Sequence, residues 1–224
     1  MSAIAVKEVK ERVIADNDAV AESVRNKLKD KKVFLVNLMA SPGAGKTTTL
    51  VRTIEALQPE YKVGVMEADV DSKVDAETIQ KTGAKVIQLH TGGSCHMDAD
   101  MTERGLESLG YDDLDVVFLE NVGNLVCPAE FDVGAAKKVM ILSVPEGHDK
   151  PLKYPLMFTV SECLLINKID TAPVFDFDMD LLKSYVEKLN PDMPIIPVSS
   201  LKGDGFEQWI SWLKNEIEAW KEND

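Results

Sequence analysis

The stretch that decides the fold is Val33-Phe-Leu-Val-Asn-Leu-Met-Ala-Ser-Pro-Gly-Ala-Gly-Lys-Thr-Thr-Thr49. The part up to Ala40 is almost entirely apolar, which is typical of a buried β-strand. The apolar run ends at Ser41-Pro-Gly-Ala-Gly45, and a helical pattern begins at Thr48. Glycines let backbone N–H groups turn inward around an anion, and the first turn of a helix adds unpaired donors and partial positive charge. The stretch therefore predicts a phosphate site between a strand and a helix.

Lys46 and Thr47 complete the P-loop pattern of nucleotide-binding proteins. Lys46 is expected to reach the β- and γ-phosphates, and the Thr47 hydroxyl to ligate Mg²⁺. One letter departs from G-x-x-x-x-G-K-[ST], because Ala40 occupies the first glycine position. The turn itself is still supplied by the two later glycines. The residues predicted to bind the nucleotide phosphates are Gly43, Ala44, Gly45, Lys46, Thr47 and Thr48.

The rest of the chain alternates apolar strands with helices. Strands are predicted at 61–67, 85–89, 114–120, 138–144, 162–167 and 195–198. Continuous apolar strands between helices indicate an α/β fold, a mostly parallel sheet with helices on both faces, of the P-loop NTPase type. Because no long linker or repeat divides the chain, residues 1–224 are predicted to form one domain. An amphipathic helix over about 3–30 begins it; packing on the domain edge is the favoured role, with partner docking or dimer bracing as the alternative.

A second nucleotide signal, Asn167-Lys168-Ile169-Asp170, follows a buried strand. It resembles the N-K-x-D motif with which GTPases recognise guanine. One carboxylate, here Asp170, accepts hydrogen bonds from both N1–H and N2–H of guanine, a donor pair that adenine lacks. Lys168 can lay its stem over the base. The segment Ser199, Ser200 and Leu201 resembles the weaker fifth GTPase element, although a plain strand-to-helix turn explains it nearly as well.

Two acids at predicted strand ends are candidates for the magnesium site. Glu120 is placed like a Walker B acid, and Gly123 follows it at the spacing with which a glycine N–H senses the γ-phosphate. Asp69 is the other candidate, near both the metal and the nucleophilic water. Ligands bind at the carboxyl ends of strands in such sheets. Magnesium is therefore expected on Thr47 together with Asp69 or Glu120.

Thiol and imidazole groups form a second candidate site. Cys95-His96 and Cys127 lie in loops that both leave the carboxyl edge of the predicted sheet. Thiolates with an imidazole suit Zn²⁺ or Ni²⁺. Three ligands leave exchangeable positions, and two subunits related by a two-fold axis could share one metal. Cys163 is predicted to be a core residue because its strand is apolar, and the isolated His90 and His148 are expected to have surface or structural roles.

Composition excludes several classes of function. A net charge of -13 argues against nucleic acid and against an anionic membrane as partners. There is no apolar run of membrane-spanning length and no signal peptide. Three cysteines in a chain of this size argue against a disulfide framework. A cytoplasmic protein is the resulting expectation.

Taken together, these motifs resemble the HypB family of GTPases, which help deliver nickel to [NiFe]-hydrogenase. The resemblance spans roughly residues 30–220, and its most specific segments are Thr91-Gly-Gly-Ser-Cys-His96 and Glu120-Asn-Val-Gly-Asn-Leu-Val-Cys-Pro128. It implies a P-loop GTPase of the dimerising class with slow, switch-like hydrolysis of GTP to GDP. It also implies that Cys95, His96 and Cys127 bind nickel or zinc at the dimer interface. The expected function is nickel insertion during hydrogenase maturation, with the GTP state coupled to dimerisation and metal binding.

The resemblance further implies partners and a catalytic group supplied across the dimer. Besides a second copy of the chain, the partners would be a HypA-type nickel chaperone and the hydrogenase large-subunit precursor. A family lysine reaches the partner's γ-phosphate; Lys153 is the best match and Lys150 the runner-up, so hydrolysis is expected to use Lys46, Asp69 and Lys153. No Cys-rich or His-rich N-terminal tract is present, so nickel storage is not expected. The alternatives are a UreG-like or cobalamin-type metallochaperone GTPase, or a metal-binding storage protein whose P-loop is vestigial.

Overall fold

Seven β-strands form one sheet. The structure is a computed structural model that describes residues 6–69 and 74–222, without the side chains of residues 6–12, 69 and 74. The strands are β1 Phe34–Ala40, β2 Val63–Asp69, β3 Lys85–His90, β4 Val116–Glu120, β5 Lys137–Ser143, β6 Cys163–Asn167 and β7 Ile195–Pro197. Their order is β3-β2-β4-β1-β5-β6-β7, and every neighbouring pair is parallel. The predicted parallel α/β sheet is confirmed.

Helices connect the strands. They are α1 Val6–Asp30, α2 Lys46–Leu57, α3 Val74–Gln80, α4 Ala99–Leu109, α5 Cys127–Glu130, α6 Lys150–Lys153, α7 Pro155–Val160, α8 Met179–Glu187 and α9 Phe206–Glu222. Within the two described ranges, no helix combines the length and the apolar character that crossing a membrane requires.

The helices cover both faces of the sheet, as predicted. On one face α2 and α9 pack on the strands through buried side chains such as Ile54 and Trp209. The opposite face is covered near β1 and β4 by α1 and α4, and near β5 and β6 by α7 and α8. Strands buried on both sides explain why the sequence shows continuous apolar runs instead of alternation.

The N-terminal helix was predicted over about 3–30, and α1 occupies Val6–Asp30, with residues 3–5 outside the described part of the chain. Val24 and Leu28 are buried in the core shared with α4. Arg25 forms an ion pair of 2.6 Å with Asp132, beyond β4 in the sequence. The helix therefore packs against the sheet and also contacts the segment that follows α5.

Strand register brings the predicted site residues together. β1 pairs with β4 so that Leu38 lies beside Glu120, and β2 pairs with β4 so that Glu67 lies beside Glu120. The P-loop follows β1 directly. The carboxyl ends of these three strands therefore place the phosphate loop and two acids at one edge of the sheet.

Candidate functional site

The P-loop is built by two glycines with left-handed backbone. Gly43 has φ 76° and Gly45 has φ 96°, a region that residues with a Cβ rarely adopt. A Cβ on Gly45 would also lie 2.4 Å from the Asn167 Nδ2 atom. Ala40 is the fully buried last residue of β1, so the missing first glycine lies outside the turn. The departure from the strict motif therefore leaves the loop geometry intact.

A cavity of about 620 Å³ opens beside this loop. Helix α2 begins at Lys46, so its first-turn N–H groups are available at the cavity wall. The predicted residues that line the cavity are Gly43, Gly45, Lys46, Thr47, Thr48, Glu120, Gly123 and Lys168. Ala44, in the same loop, has a fully buried side chain and does not line the cavity. The volume and the donor-rich wall fit a nucleotide phosphate chain.

A hydroxyl and two carboxylates meet at one corner of the cavity. Thr47 Oγ1 donates to Glu120 Oε1 over 2.9 Å. Glu67, which the sequence did not mark as a site residue, is 2% exposed and neighbours Glu120 in the sheet. Hydroxyl and carboxylate oxygens are the ligands Mg²⁺ prefers, so the corner fits that ion. Asp69 ends β2, but its side chain lies outside the described part of the structure.

Gly123 lies against the P-loop. A Cβ at this position would be 2.9 Å from Pro42 Cγ and 3.0 Å from Pro42 N. A larger residue would therefore push the two loops apart. The absence of a side chain lets the loop after β4 touch the phosphate loop directly.

The Asn167 side chain is hydrogen-bonded to the backbone of the P-loop. Its Nδ2 donates to the Ala44 carbonyl over 2.9 Å, and its Oδ1 accepts from the Ser200 N–H and Oγ at 3.1 and 2.8 Å. The side chain is 1% exposed. Asn167 is thus placed to fix the relative positions of the phosphate loop and the Ser199–Leu201 segment.

Asp170 and its neighbours form the end of the site nearest to the predicted base position. Ser199 Oγ donates to Asp170 Oδ1 over 2.7 Å, and this hydrogen bond holds the pKa of Asp170 below its ordinary value of 3.8. Arg52, which was not predicted, donates to the Ser200 and Leu201 carbonyls at 2.9 and 3.1 Å. An ionised carboxylate is therefore presented on a braced turn.

Lys168 reaches across the site. Its backbone has a left-handed φ of 61°, and its Nζ donates to the Gly43 carbonyl over 2.7 Å. The long side chain thereby closes one side of the cavity between the P-loop and the Asp170 turn. This position is compatible with its predicted place over a base.

The predicted metal ligands come together at the same edge of the sheet. Cys95, His96 and Cys127 place one ligand atom each within 4.8 Å of one another, and both cysteines are free thiols. The Cys95 and Cys127 Sγ atoms are 2.8 Å apart, and Cys95 Sγ is 3.7 Å from His96 Nδ1. Cys127 begins the short helix α5, where the sequence predicted a loop. The donor set fits a thiophilic ion such as Zn²⁺ or Ni²⁺.

Surrounding groups orient these ligands. The His96 ring stacks on Phe131 with centroids 4.0 Å apart, and burial lowers the pKa of His96. The hydrogen bond to Cys127 raises the pKa of Cys95. Asn124 Nδ2 donates to the Cys95 carbonyl over 3.3 Å. A neutral imidazole is the form that binds a metal, so the environment of His96 favours ligation.

The remaining candidates lie outside the cavity lining. Cys163 is fully buried in β6, and burial raises the pKa of its thiol, which leaves it a core residue. Lys153 lies on α6 and pairs with Asp149 at 2.5 Å. Lys150, its alternative, lies 5.6 Å from the centre of the Tyr154 ring. Neither lysine lines the cavity of its own chain.

Comparison with known proteins gives the chain its relatives. A family model for the CobW/HypB/UreG nucleotide-binding domain matches residues 34–197. The hydrogenase maturation factor HypB of Azotobacter chroococcum mcd 1 is 43% identical over 209 residues, which make up 93% of this chain and 68% of that protein.

Solved structures agree with this similarity. HypB from Helicobacter pylori in complex with nickel is 34% identical, with a TM-score of 0.86 over 93% of this chain and 99% of that one. HypB from Archaeoglobus fulgidus is 38% identical, with a TM-score of 0.85 over 91% of this chain and 99% of that one. Sequence and fold thus agree over nearly the whole length, and the chain belongs to the HypB hydrogenase maturation factors within the CobW/HypB/UreG family.

Proposed function

We propose that this chain is a GTP-hydrolysing metallochaperone that helps insert nickel during maturation of [NiFe]-hydrogenase. The observation that carries the proposal is the placement of a nucleotide cavity and a Cys-His-Cys cluster at one edge of a single sheet. A nucleotide enzyme needs only the cavity, and a metal store needs only the cluster. Having both, joined by the segment from Glu120 to Cys127, is expected of a switch that acts on metal.

In this proposal the nucleotide is GTP and its magnesium binds at the acidic corner. The P-loop N–H groups and Lys46 hold the phosphates, while Thr47 and Glu120 hold Mg²⁺, with Asp69 or Glu67 as a further acid. Bound Mg²⁺ offsets phosphate charge and orients the γ-phosphate. The carboxylate of Asp170 selects guanine, with Ser199, Ser200 and Leu201 beside the base.

Nickel is the proposed cargo, and zinc an alternative occupant of the same ligands. The related HypB from Helicobacter pylori has been solved in complex with nickel, and the Cys95, His96 and Cys127 donors suit either ion. The proposed partners are a second copy of the chain, a HypA-type nickel chaperone and the hydrogenase large-subunit precursor. A single domain over residues 1–224 acting in the cytoplasm completes the proposal.

The proposed switch has a direct test. Nickel affinity and molecular mass are measured with a non-hydrolysable GTP analogue and with GDP. We expect the analogue to double the mass and to change nickel affinity by at least about fivefold, a typical coupling between two sites. Cys127→Ser should lose nickel binding, whereas Cys163→Ala, which removes the core thiol, should keep it. Equal affinity and equal mass with the two nucleotides would contradict the proposal.

A further inference from the structure

The buried amide of Asn121 connects the loop after β4 to the Cys95–His96 segment, which we call the Cys95–His96 arm of the candidate metal site. Asn121 follows Glu120 directly and is 0% exposed. Its Oδ1 accepts from the Val122 N–H at 2.9 Å and from the Met97 N–H at 3.3 Å. Met97 is the residue after His96. The Asn121 side chain thus joins the loop after β4 to the segment that carries Cys95 and His96.

The other end of the same side chain is anchored in the sheet. Asn121 Nδ2 donates to Asn37 Oδ1 over 3.1 Å, and Asn37 is a fully buried residue of β1, the strand that leads into the P-loop. Both side chains are fully buried, where an amide is costly unless its hydrogen bonds are made. Because the Asn121 amide makes hydrogen bonds at both its oxygen and its nitrogen, its side chain is held in a defined geometry.

The three candidate ligands come from two separate segments, the loop after β3 and the start of α5, so moving them together requires a contact between those segments. Cys127 lies seven residues after Glu120 in the chain, so a movement of the loop between them is transmitted to Cys127 through the backbone. Cys95 and His96 follow β3 and share no such connection. A second contact, from Asn124 to the Cys95 carbonyl, is exposed to solvent and is weaker for that reason.

We propose that Asn121 is the positioning residue through which the loop after β4 moves the Cys95–His96 arm when the γ-phosphate is bound or released. The inference rests on the proposed function, since it requires a loop that responds to GTP. Without the Asn121 bond, that loop would be joined to the Cys95–His96 segment only through the solvent-exposed Asn124 contact and through contacts of the ligands themselves, so the two would move largely independently. The ligand set would then keep its members but lose its dependence on the nucleotide.

Two substitutions separate this role from mere packing. Asn121→Ala removes all three side-chain hydrogen bonds of Asn121, and the ratio of nickel affinities with GTP analogue and GDP should fall from at least about fivefold to less than about twofold. Asn121→Asp keeps an acceptor for the Met97 N–H. Asn37 Nδ2, which has no hydrogen-bond partner in the described part of the chain, can turn toward the new carboxylate. This variant should therefore retain the ratio. If the alanine variant does not fold, Asn121→Ser, too short to reach Met97, replaces it.

Asn17 provides a matched control. Its Oδ1 accepts from the Ala99 N–H at 2.9 Å and its Nδ2 donates to the Asp132 carbonyl at 2.9 Å, so it braces the same region through hydrogen bonds outside residues 121–126, the loop between β4 and α5. Asn17→Ala should change nickel affinity equally with both nucleotides and keep the ratio. Iodoacetamide labelling of Cys95 in metal-free protein gives a second readout, which should depend on nucleotide in the wild type and not in Asn121→Ala.

The outcomes distinguish the inference from the proposal beneath it. A wild-type ratio near one together with equal mass in the two nucleotides would overturn both, and a ratio near one with a change of mass would overturn the inference alone. A clear wild-type ratio that survives in folded Asn121→Ala, or that is lost equally in Asn17→Ala, would overturn the role of Asn121 and leave the proposed function standing. Loss in Asn121→Asp as severe as in Asn121→Ala would also count against it, because the Met97 acceptor is preserved there.

Discussion

Asp170 is the residue on which base selectivity depends in the proposed function. Its carboxylate is fixed by Ser199 on a turn that Arg52 braces from α2. Because the hydrogen bond keeps its pKa below 3.8, the side chain stays ionised at neutral and mildly acidic pH. Over that pH range the carboxylate can therefore accept hydrogen bonds from both N1–H and N2–H of guanine.

Asp170→Asn tests that assignment. An amide can accept from only one of the two guanine donors and places its own N–H against the other, so GTP affinity should fall roughly 100-fold. Affinity for xanthosine triphosphate, which carries a carbonyl oxygen at C2 where GTP carries an amino group, should rise. Both are measured by nucleotide titration. Asp176→Asn, which removes the same charge from an exposed position six residues further along the chain, should leave both affinities unchanged, and an unaltered preference in Asp170→Asn would remove the guanine assignment.

Several residues of the site could not be predicted from the sequence. Glu67, Asn121 and Phe131 act through neighbours distant in the chain, on β4, at Met97 and at His96. Glu67 left one local signal, a charged residue inside an apolar strand. The other two left none, since a buried amide and a stacked ring are recognised only once the loops are in place. The phosphate loop and the N-K-x-D segment were predictable because each is a contiguous motif.

At the scale of elements, α1 acts as a brace behind the metal cluster. Arg25 pairs with Asp132 at 2.6 Å and donates to the Ala135 carbonyl at 3.2 Å. Asp132 follows Phe131, on which His96 stacks. The sequence predicted the helix and its apolar stripe, but not that its polar face holds this loop. The favoured interpretation, a helix packed on the edge, therefore understated its role.

Arg25→Ala measures the strength of this brace. Burial would raise the pKa of Asp132, but Lys138, the Gly134 N–H and Arg25 hold it below its ordinary value of 3.8. A depressed carboxylate pKa contributes stability that is present at neutral pH and is lost as pH falls through the folded-state pKa. The variant should lose about 1–2 kcal/mol of unfolding free energy at pH 7. The difference from wild type should shrink below about pH 3.8.

Urea unfolding at several pH values measures both the loss of unfolding free energy at pH 7 and its decrease at acidic pH. Lys27→Ala is the matched control, because Lys27 lies on the same helix and pairs with Glu103 at a more exposed position. Solvent screens an exposed pair, so this variant should lose clearly less unfolding free energy than Arg25→Ala. Equal losses in the two variants would show that the Arg25 pair is no stronger than an ordinary surface pair.

At the scale of the whole molecule, few positively charged side chains line the nucleotide cavity of one chain. Among the residues that the structure describes, only Lys46 and Lys168 bring a positive side chain to its lining. Lys153 lies on α6, outside that cavity, and is more than half exposed. Leu152 and Leu156 beside it are also exposed. Two exposed leucines beside a lysine whose ion pair with Asp149 is open to solvent suit the proposed contact with a second copy of the chain.

Lys153→Ala tests whether a further cation is supplied by the partner. A positive group inserted in this way accelerates phosphoryl transfer by about 10³-fold or more, so hydrolysis should fall by a factor of that order. GTP affinity should change less than about twofold, since the lysine lies outside its own cavity. Lys150→Ala is the control and should keep the rate. If Lys150→Ala alone slows hydrolysis, the two assignments are exchanged.

The shared edge of the sheet has a consequence for how such proteins diversify. The proposed cargo ligands lie on the loop after β3, at 95–96, and at the first residue of α5, at 127, and none of them lines the nucleotide cavity. Substitutions there can alter which ion is carried while the nucleotide-binding loops are inherited unchanged. The architecture is modular in that sense, because the proposed metal ligands can change while the phosphate-binding residues stay the same.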